Sequence, residues 1–115
     1  MKIDVFCHIQ PVKYMEALQK ETGSSVNFGY LPTMYDLDQR FRVMDKFDGL
    51  MQVLTISMPA IENIGKPKKA VDLAKLANDE MAELVLKYPD RFAAAVLYLF
   101  HINPSNRYLV ANINH

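Results

Sequence analysis

Several absences bound what this 115-residue chain does. Cys7 is its only cysteine, so no intramolecular disulfide forms, which suits a reducing cytoplasm. No stretch of about eighteen apolar residues occurs, so no membrane span is expected. The amino end lacks a basic segment followed by a long apolar one, so no secretory signal is read there. Neither sign of charge dominates, with 13 basic against 13 acidic side chains, and no basic stripe points to nucleic acid. Tryptophan is missing, and the seven methionines read as core filling. Four glycines are too few and too scattered for a phosphate-cradling loop. No internal repeat or low-complexity segment is present. What remains is an ordinary globular composition, half hydrophobic, long enough for one domain with its own core.

The elements follow from periodicity. "KIDVFCHI" over residues 2–9 alternates Ile3, Val5, Cys7 and Ile9 with Asp4, Phe6 and His8, which predicts a strand. Pro11 marks its exit. "VKYMEALQKE" predicts a helix over 12–21 with Tyr14 and Leu18 on one face. Residues 22–39 read as a loop or small hairpin insertion, whose Phe28, Tyr30 and Tyr35 tie it to the body or cover a cleft. "RFRVMDKF" predicts a helix over 40–47, stopped by Asp48-Gly49. "LMQVLTISMP" is apolar almost throughout, as a strand buried on both faces would be, and Pro59 ends it. The clearest element is a helix over 68–88. Ala70, Leu73, Ala74, Ala77, Met81, Leu84, Val85 and Tyr88 recur at three- and four-residue steps. Pro67 suits its first turn and Pro89 its end. "RFAAAVLYLF" predicts a third buried strand, and Tyr108–Ala111 allows a short fourth. Strand–helix alternation of this kind predicts an α/β unit with parallel strands.

Candidate chemistry is sparse. Phe6 and His8 share one face of the first strand and Cys7 points to the other. Two histidines at that spacing grip one metal together; phenylalanine has no lone pair to give. Cys7 joins His8 only if the strand bulges. Ser57 follows an apolar strand without a G-x-S-x-G setting. Asp79 and Glu80 are adjacent on a helix and do not face each other, so they read as a solvated face. His101 and His115 read as strand-end or tail histidines.

Three blocks carry a resemblance: "MKIDVFCHIQP", "VMDKFDGLMQVLTISMP" and "ANDEMAELVLKYPDRFAAAV". Together they resemble the amino-terminal part of the amidohydrolase-related (amidohydrolase 2) family, closest to decarboxylases of the aminocarboxymuconate-semialdehyde type. The likeness runs over 1–97, and 98–115 reads as a divergent tail of the same single domain. The resemblance implies a (β/α)₈ barrel with a divalent metal, commonly zinc, at the carboxyl ends of the strands, serving hydrolysis or non-oxidative decarboxylation. It implies a His-x-His pair closing the first strand, with a further His and Asp from strands far downstream. His8 matches the second histidine of the pair, and Phe6 stands in place of the first. Arg40 matches an arginine preceding a Met-Asp pair; it binds a substrate carboxylate or, as the favoured reading, pairs with Asp45 or Asp36 on the surface. Met58 and Pro59 match pocket-shaping positions near the cleft.

The fold expected is therefore a partial TIM-barrel-like unit of about three parallel strands with helices, not a closed barrel. The expected function is that of a truncated or degenerate relative of a metal-dependent decarboxylase or hydrolase, inactive as an isolated chain, with its metal absent or weakly bound. The alternative is a non-catalytic α/β module acting through self-association or a partner. Homo-oligomerisation is expected through open strand edges or an uncovered sheet face. A small carboxylate substrate enters only if further chain completes the site.

Overall fold

The computed structural model describes residues 1–22, 31–56, 67–99 and 107–111. Ser57, Met58, Pro59, Phe28, Tyr30, His101 and His115 lie outside the described residues, so the readings made of them stay as sequence expectations. Strands β1 (Lys2–Ile9), β2 (Leu50–Ile56), β3 (Phe92–Leu99) and β4 (Arg107–Ala111) form one open sheet in the order β1-β2-β3-β4. β1, β2 and β3 are mutually parallel, as the strand–helix alternation predicts. β4 lies antiparallel to β3, with Tyr98 opposite Tyr108. Helices α1 (Val12–Thr22) and α2 (Leu37–Met44) connect β1 to β2, and α3 (Pro67–Lys87) connects β2 to β3. Among the described residues, no helix is long and apolar enough to cross a membrane.

The stripe read on α3 is the spine of the core, and it packs in two directions. Its first half presents Ala70, Leu73, Ala74 and Ala77 to Tyr14, Met15 and Leu18 of α1. Alanines at three of those four positions let the two helices approach closely. Its second half presents Met81 and Val85 to Ile9, Leu54, Phe92 and Ala95 of the sheet. Each large side chain buried there contributes about 1.5–3 kcal/mol relative to exposure. Phe41 closes this cluster from α2, its ring centroid 5.1 Å from that of Tyr88 and 5.8 Å from that of Phe92.

Both bounds expected for α2 change. α2 begins at Leu37 instead of Arg40, because Asp36 caps it: its Oδ1 accepts from the Gln39 amide at 3.2 Å. The helix then stops at Met44, which leaves Phe47 half exposed. Gly49, at φ +68°, makes the turn into β2, a conformation costly for a side chain with a Cβ. The segment before α2 contains a 3-10 turn, Pro32–Met34, and no hairpin among its described residues.

Among the described residues, β2 is covered on one face only. Leu54 is fully buried, whereas Met51, Val53 and Thr55 on the opposite face are half-buried. Its unbroken apolar run suggested cover on both faces, but the described helices pack on one. Ile56 pairs with buried Ile9 and packs into the core.

β1 does not alternate cleanly. Asp4 pairs with Gln52 and Cys7 with Leu54, so β1 holds one extra residue between them. This bulge reverses the alternation on either side of it. Ile3 falls opposite Met51 on the open face while Cys7 and Ile9 fall on the helix face. Ile3 and Val5 are exposed as a result, and only Cys7 and Ile9 of the four alternating residues are buried.

Candidate functional site

The carboxyl ends of β1 and β2 bring His8 and Thr55 together as cross-strand neighbours. Thr55 Oγ1 lies 3.0 Å from His8 Nδ1 and 3.3 Å from the carbonyl oxygen of Cys7. Phe6 sits on the same open face, 73% exposed, with its ring edge-on to the imidazole at a centroid distance of 4.7 Å. The shared face of Phe6 and His8 is thus as the strand geometry requires.

Cys7 faces the other way. The bulge that would have been needed to turn it toward His8 does occur, but it precedes Cys7 and leaves it opposite buried Leu54. Its thiol lies 3.6 Å from the Asp4 carbonyl oxygen, to which it donates. Burial, with Asp4 beside it, pushes the Cys7 thiol up to about 11. It is therefore neither a thiolate nucleophile nor a ready metal ligand near neutral pH. Asp4 is held below the usual carboxylate range, chiefly because its Oδ1 accepts the Phe6 amide proton at 3.1 Å.

Arg40 corrects the sequence reading most. It is 6% exposed and pairs with neither Asp45 nor Asp36. Its Nε donates to Gln52 Oε1 at 2.8 Å, and its Nη1 donates to the carbonyl oxygens of His8 at 3.0 Å and Thr33 at 3.1 Å. The guanidinium fork ties the 3-10 turn, the end of β1 and the middle of β2 to α2. Burial draws its pKa below the ordinary arginine value. Arg91 takes the partner expected for Arg40, forming the ion pair with Asp45. Arg40 also lines a cleft of about 230 Å³ with Cys7, Thr33, Val43 and Gln52, under α2. A larger cleft of about 720 Å³ lies around Gly49, Pro89 and the Asp45–Arg91 pair, at the end of the sheet where β2 and β3 begin. In barrels of this type chemistry sits at the carboxyl ends of the strands, so that cleft is at the stability end.

Glu80 also departs from its expected role. Its two carboxylate oxygens accept from the backbone amides of Lys13 and Tyr14, each at 3.0 Å, and so cap α1 from α3. Among the described residues, no three His, Cys, Asp or Glu side chains gather as metal ligands. One imidazole edged by a phenyl ring does not fit the divalent metal that the resemblance implies.

No family model matches the chain. Gamma-resorcylate decarboxylase of Rhodococcus jostii (strain RHA1) is 38% identical over 55 residues, 48% of this chain and 17% of that enzyme. The enzyme of the same name from Rhizobium radiobacter is 39% identical over 57 residues, 50% of this chain and again 17% of the relative. Among solved structures, 2,6-dihydroxybenzoate decarboxylase in complex with 2,6-dihydroxybenzoate superposes with a TM-score of 0.59 at 32% identity, over 84% of this chain and 30% of that one. An amidohydrolase II superposes with a TM-score of 0.62 at 25% identity, over 84% and 31%.

Over part of its length the chain is similar to amidohydrolase-related decarboxylases.

The likeness extends to the fold: three parallel strands with helices in an open sheet, a part of the TIM-barrel architecture of the amidohydrolases. The chain spans less than a third of the amidohydrolase structures it matches and about a sixth of the curated decarboxylases. Its bulged first strand puts Phe6 beside His8 and turns Cys7 away.

Sequence reasoning missed Thr55, Gln52 and Glu80. Thr55 carried no signal beyond a hydroxyl near a strand end. Gln52 was detectable as a polar residue in an apolar strand, which calls for a partner when half-buried.

Proposed function

We propose that this chain is a degenerate relative of the metal-dependent decarboxylases and hydrolases, without carboxy-lyase or hydrolase turnover as a 115-residue chain. The observation that carries this reading is the pairing of Phe6 with His8. The ring that should supply the second lone pair supplies a C–H edge 4.7 Å away. A catalytic zinc needs about three protein ligands, and this strand end offers one. Arg40, for which binding a substrate carboxylate was the less favoured of two readings, is buried on α2 and has the Nε and Nη1 protons of its guanidinium engaged by the protein's own acceptors. It serves as a clamp on the His8 strand end.

The test is direct. The purified chain is supplied with zinc, manganese or magnesium and assayed for carbon dioxide release from dihydroxybenzoates and muconate-type carboxylates. No metal-stimulated release is expected. Turnover that rises with metal and disappears in His8→Ala would sink the proposal.

A second reading rests on the open face of the sheet. Ile3, Val5 and Phe6 are 46%, 69% and 73% exposed on a single strand at the edge of the sheet. Apolar exposure of that density favours association, so this reading casts the chain as a module that pairs with another copy.

A further inference from the structure

We propose that Thr55 is a positioning residue, one that fixes the neutral His8 ring as its Nδ1–H tautomer and leaves Nε2 as the unprotonated atom. A count of protons decides the tautomer. A threonine hydroxyl has one proton to give and lone pairs to receive. Thr55 Oγ1 has two neighbours, the Cys7 carbonyl oxygen and His8 Nδ1. The carbonyl only accepts, so the hydroxyl proton goes there. The contact at Nδ1 is then a hydrogen bond only if Nδ1 carries the proton and donates it to Oγ1. The reverse arrangement, with the hydroxyl donating to Nδ1, forfeits the bond to Cys7. Nε2 has no hydrogen-bond partner among the described residues, so it keeps its lone pair.

The rest of the surroundings fits a ring held for use. An exposed strand-end histidine ordinarily turns freely. His8 is gripped at its carbonyl by Arg40 Nη1, at Nδ1 by Thr55 and against its ring by Phe6. Fixing one ring nitrogen decides what the other can do. Here the atom left over is a base and a hydrogen-bond acceptor for a single proton-donating group of a small molecule. This inference goes beyond the proposed function, because it concerns the chain with neither metal nor substrate and holds whether or not the chain turns anything over.

The experiment is ¹⁵N NMR of the His8 side chain in the full chain, roughly two pH units above the ordinary histidine pKa so that the ring is neutral. The expected spectrum has a pyrrole-type, protonated Nδ1 and a pyridine-type, proton-free Nε2. Thr55→Ser, which keeps the hydroxyl, should retain that pattern. Thr55→Val, which keeps the shape, should lose it, with the proton moving toward Nε2. A protonated Nε2 in the unaltered chain overturns the assignment, and a Thr55→Val spectrum unchanged from the parent overturns the role of Thr55. If Thr55→Val does not fold, the parent and Thr55→Ser spectra decide between the two tautomers.

Discussion

At the scale of single residues, Arg40 shows how far a side chain's surroundings can override its type. An arginine on an amphipathic helix beside two aspartates reads as a surface ion pair. This one is buried, and it satisfies three oxygen acceptors from three different segments. Arg40→Gln removes those donors and strands the carbonyls; a loss of about 2–4 kcal/mol is expected. Arg40→Lys should lose nearly as much, since an ammonium cannot span the same fork. Chemical denaturation checks both, as a lower midpoint at an unchanged slope.

Cys7 gives a second residue-scale prediction. Its folded pKa, about 11, lies above that of an ordinary thiol. In the unfolded chain the thiol loses its proton first as pH rises. Its contribution to stability is therefore whole below about pH 9 and is lost on the way to about pH 11. Cys7→Ala should lack that part of the alkaline decline in melting temperature. Alkylation of the native chain near neutral pH should be slow and limited by opening of the fold. Phe6→His makes the converse case. Losing a fully packed aromatic ring costs about 1–3 kcal/mol. At 73% exposure the change should stay within about 0.5 kcal/mol. Isothermal titration of the variant should still show no submicromolar zinc site, because two imidazoles remain short of a catalytic set.

At the scale of elements, α3 was legible and its neighbours less so. Its apolar stripe needs only a 3.6-residue period, which any reader of the chain can count. The start of α2 was legible too, in the Asp36-x-x-Gln39 spacing, but an irregular context of Gly, Pro and aromatics hid it. The role of Glu80 could not be read at all. A carboxylate on the polar face of one helix looks solvated until another helix is placed with its amino end against it. Glu80→Ala should destabilise the fold by about 1 kcal/mol through the loss of that cap, and Asp79→Ala, its exposed neighbour, by less than about 0.5 kcal/mol. Thermal denaturation of the pair is the check.

At the scale of the whole molecule, the sheet has two distinct edges. β3 is covered by antiparallel β4, where a parallel barrel would continue with a parallel strand. β1 is the other edge, and its bulge, with Asp4 accepting the Phe6 amide proton, works against simple strand addition. Association is therefore expected through the exposed face carrying Phe6 instead of through the β1 ladder. Light scattering should give a mass above that of the monomer at sub-millimolar concentration, and Phe6→Ser with Val5→Lys should lower it; a monomer at all concentrations counts against the idea. What the sequence by itself determined was the order of elements, the parallel β/α pattern and the α3 stripe, because each rests on local spacing along one chain. The tertiary structure alone decided that Arg40 is buried, that Glu80 caps α1, that the bulge reverses β1 and that Thr55 meets His8. Each of these is a contact between segments far apart in the chain. Local periodicity says which face of an element is apolar, but it holds no information on which distant donor meets which acceptor, and that meeting is what sets the state of His8.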